Sequence, residues 1–299
     1  MGRFLSKDEI RVGDMTIRYS KACVATGAKS YVPDIKGLTD INYYTLETVF
    51  NMQSKPNTMA VIGNGTIAAE LAQAYQRLGI MVTLIIKGAR LLPSEDIDAD
   101  QFVEKSLRRD GVTIYFETLV QRCLRASDPD DEGQEVIRLN LKKSRGEQQV
   151  QDHTFFNAVL VISGKRANTE GLGLESVGVD VDEEASILVN RHMTTSNRSI
   201  FAVGNCVAHT NWRVNSCESQ ARLIAKNAFL FSQSDWSTVV LNRSVHTDPQ
   251  VSTYGDIEQQ LRSENTEYDC YTKFYEVLDR AICDGQAGML KILTKRGSA

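Results

Sequence analysis

The chain has 299 residues, of which 42% are hydrophobic and 24% charged, a composition typical of a soluble globular protein with one large or two ordinary domains. Its formal net charge of −4 provides no long-range attraction to nucleic acid or to an anionic membrane. No apolar run approaches the roughly 20 residues that a membrane span requires, so we expect neither nucleic acid nor a membrane as a partner.

The first part of the chain is predicted to form short strands. A Gly13-Asp14 turn between two strand-like runs is a hairpin signal, and a further apolar run ends at Gly27. Residues 40–54 have helical spacing and end before Pro56, so they are predicted to form a helix.

Residues 58–90 hold the clearest strand–helix–strand pattern. Thr58–Ile62 and Met81–Ile86 are short apolar runs, and between them Thr66–Leu78 carries apolar residues on one face. Fully apolar strands that bracket a helix predict a parallel sheet covered on both faces. The fold class is therefore predicted to be α/β with a Rossmann-like unit.

The remaining elements are predicted from the same periodicities. They are a helix at 98–110, a strand at 112–115, a half-exposed strand at 135–142, buried strands at 156–163 and 199–203 that end at Gly164 and Gly204, and a helix at 213–232. From residue 243 onward the chain has more strand character.

The turn between the first strand and helix of the 58–90 unit matches the pattern G-x-G-x-x-G/A. Gly63 permits a tight turn, Gly65 lets the backbone approach a pyrophosphate, and Ala68 is small enough for the helix to pack close to the strand. The helix N-terminus adds free N–H groups and a partial positive charge. The strand–turn–helix context predicts a dinucleotide site rather than a purely structural turn.

The end of the second strand bears on the choice between NAD and NADP. An NAD site usually has an acid there to bind the ribose 2′-hydroxyl, whereas this chain has Lys87 and Arg90 and no acid. These cations suit a 2′-phosphate, although both could also be ordinary surface residues. We favour NADP and keep NAD open.

Cysteine and histidine usage predicts neither a disulfide framework nor a metal site. The six cysteines form no close pair, and the four histidines show no ligand spacing. Free thiols indicate a reducing compartment. With no signal segment at the N-terminus, we expect the cytoplasm, or an organelle if a leader precedes this stretch.

Several segments, taken in order, resemble those of the pyridine nucleotide-disulfide oxidoreductases, and most closely the branch of mercuric reductase and dihydrolipoamide dehydrogenase. The segments are Ala25-Thr-Gly27 with Pro33 and Gly37, Gly63–Gln73, Leu92-Pro-Ser-Glu-Asp96, Gly164–Asn168 followed by Thr169–Gly173, Ile200-Phe-Ala-Val-Gly-Asn205 and His246-Thr-Asp-Pro-Gln250. Together they cover nearly the whole chain.

The resemblance implies a flavoenzyme that passes electrons from NAD(P)H through FAD to a small-molecule or disulfide acceptor. FAD would contact two of the matched motifs, Thr26-Gly27 and Gly204-Asn205, whereas Glu70 would lie beside the nicotinamide and act in catalysis, unless it is simply a helix carboxylate favourable to the dipole. Gly164 would let the backbone approach the nicotinamide nucleotide. A homodimer is also implied.

The resemblance further implies four domains. They are a remnant of the FAD domain at 1–40, an inserted NAD(P)-binding Rossmann domain at 41–165, the second part of the FAD domain at 166–235, and a partial α+β dimerisation domain at 236–299.

Some features of the family have no counterpart in the sequence. Upstream of Ala25 there is neither a glycine-rich turn for the FAD pyrophosphate nor a CxxxxC redox pair, and the lysine partner expected for Glu70 would lie in that same region. Asn205 stands where the family has aspartate, which predicts weaker flavin binding because a neutral acceptor bonds less strongly. The alternative function is therefore a non-catalytic NAD(P)-binding module or a truncated pseudoenzyme.

Overall fold

The computed structural model describes residues 2–129, 133–143, 154–208, 214–230, 234–240 and 242–298. The chain forms two compact units. The first combines Met1–Tyr31 with Gly164–Arg243, and the second combines Val32–Ser163 with Ser244–Ala299. The mixed α/β fold with a parallel sheet confirms the predicted fold class.

The strands are β1 (Gly2–Ser6), β2 (Glu9–Val12), β3 (Met15–Arg18), β4 (Ala22–Val24), β5 (Ala28–Ser30), β6 (Thr58–Gly63), β7 (Met81–Ile85), β8 (Thr113–Tyr115), β9 (Thr118–Ser127), β10 (Glu135–Lys143), β11 (Thr154–Phe156), β12 (Ala158–Ile162), β13 (Lys165–Ala167), β14 (Ile200–Ala202), β15 (Asn242–Val245), β16 (Val251–Tyr254), β17 (Tyr268–Phe274) and β18 (Met289–Lys295). The α-helices are α1 (Thr66–Arg77), α2 (Ile97–Arg109), α3 (Val214–Phe229), α4 (Glu258–Ser263) and α5 (Asp279–Asp284).

A four-stranded parallel sheet lies at the centre of the second unit. Its strand order is β12–β6–β7–β8, and all three pairings are parallel. Helix α1 connects β6 to β7 and helix α2 connects β7 to β8. Because β6 is covered on both faces, its residues from Met59 to Ile62 are all buried. This arrangement confirms the predicted strand–helix–strand unit.

The helix predicted at 40–54 is wrong. That segment forms only two short 3-10 turns, Leu38–Asp40 and Val49–Asn51. Between them Tyr44 runs beside β12, donating from its N–H to Val159 O and accepting from Val161 N–H, both at 2.8 Å. The segment has apolar residues at helical spacing, but the backbone groups of Tyr44 bond to the sheet instead of forming helical hydrogen bonds.

The second unit also contains an antiparallel sheet and a C-terminal segment. The sheet has the order β11–β10–β9, and the alternating burial of β10 confirms a half-exposed strand there. The C-terminal segment forms the sheets β15–β16 and β17–β18. Val245 of β15 is fully buried in the same apolar core as α1 and β6, so this segment is part of the unit's core.

The first unit is built from small sheets and one long helix. Strands β1, β2 and β3 form an antiparallel meander, with Val12 opposite Met15 across the predicted Gly13-Asp14 turn. Strands β4 and β14 pair in parallel, and β5 and β13 pair antiparallel. Helix α3 confirms most of the helix predicted at 213–232, whose residues 213 and 231–232 lie outside the described residues.

Candidate functional site

The glycine turn follows β6 and leads directly into α1. Gly63 has φ +138°, and a Cβ atom added there would lie 1.9 Å from the carbonyl oxygen of Ile162 on β12. No side chain fits at that distance. Gly63 is therefore required by the close approach of two neighbouring strands.

Gly65, unlike Gly63, has open space around it. Its φ is +89°, and a Cβ atom added there would meet no heavy atom within 4 Å. The turn is thus open at this position, which leaves room for a ligand. The amides from Thr66 to Ala68 precede Ala69, whose N–H is the first to donate within the helix, to Gly65 O at 3.1 Å, and they are available to an anion. Ala68 itself is fully buried in the core, as the small third position of the motif requires.

The two predicted cations after β7 differ in their contacts. Lys87 is exposed. Arg90 donates from Nε to Asp100 at 3.0 Å and from Nη2 to the carbonyl oxygens of Leu92 and Glu95, at 3.2 and 2.7 Å. The guanidinium that the sequence predicts beside a 2′-phosphate is therefore bound to groups of its own loop and of α2.

Glu70 lies on α1 and contacts the C-terminal segment. Its Oε1 accepts a hydrogen bond from the backbone N–H of His246 at 2.8 Å. The structure thus gives this carboxylate a partner within its own unit. Its predicted place beside the nicotinamide stays a prediction.

Sequence reasoning missed Gln73, one helical turn after Glu70. Its side chain is buried and bonds both backbone groups of Asp248, accepting from N–H at 2.7 Å and donating to the carbonyl oxygen at 2.9 Å. It also donates to Asp110 at 2.9 Å, and Arg77 pairs with Asp110 at 2.7 Å and with Asp248 at 2.8 Å. A buried polar position on an otherwise apolar helix face was the available signal.

In the first unit, two of the motifs assigned to FAD meet at one edge. Because β4 and β14 are parallel, the residues after them, Thr26-Gly27 and Gly204-Asn205, follow the same ends of the pair. Cys206, next to Asn205, donates from Sγ to the carbonyl oxygens of Val24 and Val203, at 3.5 and 3.2 Å, and so joins the ends of both strands. The structure therefore brings the four predicted flavin contacts together.

Contacts around this edge fix its backbone. Asn168 donates from its backbone N–H to Gly27 O at 2.9 Å and from its side chain to Thr26 O at 3.2 Å. Gln220 of α3 accepts from Gly204 N–H at 2.8 Å. Its own Nε2 is buried and has no hydrogen-bond partner among the described residues.

Gly164 begins the second stretch of the first unit. It has φ +124°, a Cβ atom there would meet nothing within 4 Å, and its carbonyl oxygen accepts from Tyr31 N–H at 2.9 Å. The open surrounding is compatible with the predicted approach to a nucleotide, which stays a prediction.

All six cysteines are free thiols. Burial raises the pKa of Cys123 to about 11, and burial also raises the pKa of Cys206. Both thiols are therefore protonated at neutral pH, whereas redox-active cysteines react as thiolates.

Three carboxylates of the second unit lie close enough together to hold a cation: Asp96, Asp98 and Glu258. Lys291 of β18 occupies this position, with its Nζ 2.9, 2.7 and 2.6 Å from the three groups. The side chain of Lys291 is only 9% exposed, and the hydrogen bonds that it donates to these acids raise its pKa despite burial. This cluster therefore attaches strand β18 to α2 and α4.

A cleft of about 920 Å³ opens between α2, β16 and β18. Its lining includes Phe102, Leu261 and Met289 and contains none of the residues of the glycine turn. The cleft is therefore separate from the predicted nucleotide site. Among the described residues, no helix is both long and apolar enough to cross a bilayer.

A strand, an open glycine turn and a helix N-terminus in a parallel sheet define a Rossmann-type dinucleotide-binding unit. The family model described as pyridine nucleotide-disulphide oxidoreductase matches residues 2–227. The chain belongs to this family, as the sequence resemblance indicated.

The curated relatives that the chain matches are longer than this chain. The chain is 30% identical over 287 residues to a mercuric reductase of Streptomyces lividans, covering 96% of this chain and 58% of that protein. It is 28% identical over 284 residues to a soluble pyridine nucleotide transhydrogenase of Marinobacter nauticus, covering 94% and 58%. The chain therefore spans less than two thirds of these relatives.

Solved structures share the fold. The HOCl-induced flavoprotein disulfide reductase RclA of Escherichia coli, as its Cu(II) complex, superposes with a TM-score of 0.86 at 22% identity, over 99% of this chain and 65% of that one. LpdA of Mycobacterium tuberculosis gives a TM-score of 0.81 at 22% identity, over 97% and 61%.

Proposed function

We propose that this chain binds NAD(P)H at the turn Gly63–Ala68 and presents it to a flavin, as part of an oxidoreductase of the mercuric reductase type. The observation that carries the proposal is the open surrounding of Gly65 at the N-terminus of α1. A pyrophosphate there would receive the free amides of the first turn and the positive end of the helix.

The residues present fit the nicotinamide nucleotide better than they fit FAD. Thr26-Gly27 and Gly204-Asn205 would hold one edge of a flavin, and the unpaired buried Nε2 of Gln220 offers an additional donor beside Gly204. The sequence contains no second G-x-G-x-x-G/A turn for the flavin pyrophosphate. When bound, FAD would accept the hydride of the nicotinamide.

The remaining parts of the proposal are supported by the family and by single features of the chain. We propose a small-molecule or disulfide electron acceptor, a cytoplasmic location, and NADP in preference to NAD because Lys87 follows β7 where an NAD site has an acid. A homodimer is supported by the exposed apolar side chains of the C-terminal segment, among them Val277, Ile282 and Leu290.

Asn205, which offers a flavin only a neutral acceptor, favours a second candidate, a non-catalytic NAD(P)-binding module. Spectroscopy of the purified chain separates the two. A visible flavin band after addition of FAD and gel filtration, together with NADPH oxidation by an artificial acceptor, supports the oxidoreductase. Thermal protection by NADPH without a flavin band supports the module. If neither nucleotide protects the chain, both functions fail.

A further inference from the structure

Arg90 and Asp100 form an ion pair beneath the loop that connects β7 to α2. Arg90 Nε lies 3.0 Å from Asp100 Oδ2, and the two side chains are 27% and 7% exposed. At this exposure the pair is largely shielded from water, so its geometry is fixed more firmly than that of a surface pair.

Both partners also bind the backbone of Leu92. Asp100 Oδ1 accepts from Leu92 N–H at 2.6 Å, and Arg90 Nη2 donates to Leu92 O at 3.2 Å. Arg90 Nη2 also donates to Glu95 O at 2.7 Å. The pair therefore holds the peptide units on both sides of Leu92 and determines the path of the loop there.

The preceding residue connects this loop to the glycine turn. Leu91 is fully buried, and its carbonyl oxygen accepts a hydrogen bond from Gly65 N–H at 2.8 Å. An unbroken series of contacts thus runs from the Arg90–Asp100 pair through Leu92 and Leu91 to the amide of Gly65.

We propose that Arg90 and Asp100 are positioning residues, which hold the Leu91 carbonyl so that it orients the Gly65 amide and the glycine turn for a dinucleotide pyrophosphate. This proposal rests on the proposed nucleotide binding. It gives Arg90 a role common to both coenzymes, because NADPH and NADH share the pyrophosphate and differ only at the 2′-phosphate.

The experiment measures dissociation constants for NADPH and NADH with Arg90→Gln and Asp100→Asn. Asp100→Asn retains an oxygen for Leu92 N–H but places an amide donor against the guanidinium, so it disrupts only the pair. We expect both coenzymes to bind about tenfold more weakly, with an unchanged ratio of the two constants. Arg280→Gln, which removes the exposed pair of Arg280 with Asp284, serves as the matched control and leaves both constants unchanged.

A second readout follows the turn itself. Hydrogen exchange of a peptide that contains Gly65 should accelerate in both variants and not in Arg280→Gln, because the Gly65–Leu91 bond loosens. This readout does not need a bound nucleotide. If the wild-type chain binds neither coenzyme, the proposed function fails, whereas the exchange rates still test the positioning.

Two results would overturn the proposal. A loss of affinity confined to NADPH would assign Arg90 to the 2′-phosphate instead. Unchanged Gly65 exchange in a folded Asp100→Asn variant would show that the pair does not act on the turn. Should Arg90→Gln fail to fold, the Asp100→Asn measurements decide alone.

Discussion

Gly63 and Gly65 belong to the same motif but meet different constraints. At Gly63 a side chain would collide with the Ile162 carbonyl, whereas at Gly65 it would enter open space. The first glycine therefore serves strand packing and the second serves the proposed ligand. Two glycines only two positions apart therefore have different roles, one in folding and one in the proposed binding.

A matched pair of variants tests the distinction. Gly65→Ala should remain folded, with a strain cost of about 1–3 kcal/mol for a side chain at positive φ, and should lose NADPH binding. Gly63→Ala should lower the free energy of unfolding more, because backbone must move to relieve the 1.9 Å contact with Ile162 O. Urea unfolding and NADPH titration measure both. Equal binding by Gly65→Ala and the wild type would remove Gly65 from the site.

The positive φ of Gly63 and Gly65 agrees with the turn that the sequence predicts, because local chemistry decides this conformation, whereas their contact with a ligand stays a prediction. A positive φ and a close approach can be read from the motif and its context. The partners of Glu70 and Arg90 could not be read in this way, since both depend on segments far away along the chain or on the path of a loop.

At the scale of elements, α1 connects the glycine turn with the C-terminal segment. Three residues on one helix face, Glu70, Gln73 and Arg77, bind the backbone or side chain of His246 and Asp248. Ser106 of α2 adds a bond to the Asp248 carbonyl at 2.6 Å. These contacts fix the segment that follows β15 on the two helices.

Replacing Gln73 with leucine should destabilise the second unit. The apolar side chain leaves the Asp248 N–H without its partner, and a buried unsatisfied group costs about 1–3 kcal/mol. Urea unfolding monitored by circular dichroism measures the loss. Gln260→Leu, at an exposed position on α4, is the control and should change stability by less than about 0.5 kcal/mol. Equal stabilities of the two variants would contradict this account of the Gln73 bonds.

The Lys291 cluster should make stability depend on pH. The hydrogen bond from Lys291, supported by one from Tyr268, lowers the pKa of Glu258 from 4.5 to about 2. Since the folded pKa lies below the unfolded one, this stabilisation is present above pH 4.5 and is lost as the pH falls toward 2.

Glu258→Gln should therefore be less stable than the wild type at pH 7, by about 1–3 kcal/mol, because solvent partly screens the cluster. The difference should shrink at pH 3. Urea midpoints at both pH values measure it, with Glu276→Gln, which is also on the C-terminal segment, as the control. A difference that stays constant with pH would show that Glu258 does not titrate in this way.

The elements themselves were predictable where periodicity and burial agree. The strand–helix–strand unit and the Gly13-Asp14 hairpin follow from local pattern. The helix predicted at 40–54 failed because Tyr44 joins the edge of β12. Pairing with β12 determines the conformation there, and the local sequence pattern does not indicate such a pairing.

At the scale of the whole molecule, each unit has its own apolar core. Residues such as Val24, Ile200 and Val203 belong to the core of the first unit, whereas Val61, Ala68 and Leu84 belong to a core of the second. The residues proposed to contact the two cofactors are divided in the same way: the flavin edge, formed by Thr26-Gly27 and Gly204-Asn205, belongs to the first unit, and the glycine turn belongs to the second.

Hydrogen exchange should therefore respond separately to the two cofactors. Saturating NADPH should slow exchange around Gly63–Ala69, and FAD should slow it around Val24–Gly27 and Val203–Cys206. At a ligand concentration of about 100 Kd the protection corresponds to about 2.7 kcal/mol, or roughly a hundredfold in rate. Protection of the flavin edge by NADPH alone would contradict the assignment of sites to units.

The packing of Val245 and Asp248 on α1 and α2 determines where the chain can be cut to make a fragment that folds. The sequence suggests a natural cut near residue 236, which would yield a minimal nucleotide-binding fragment. Such a fragment would lack the side chain of Val245, which fills part of the core. It would also leave Gln73 facing solvent instead of the Asp248 backbone. A usable minimal fragment therefore needs the residues through Pro249 supplied with it, either in the same polypeptide or as an added peptide.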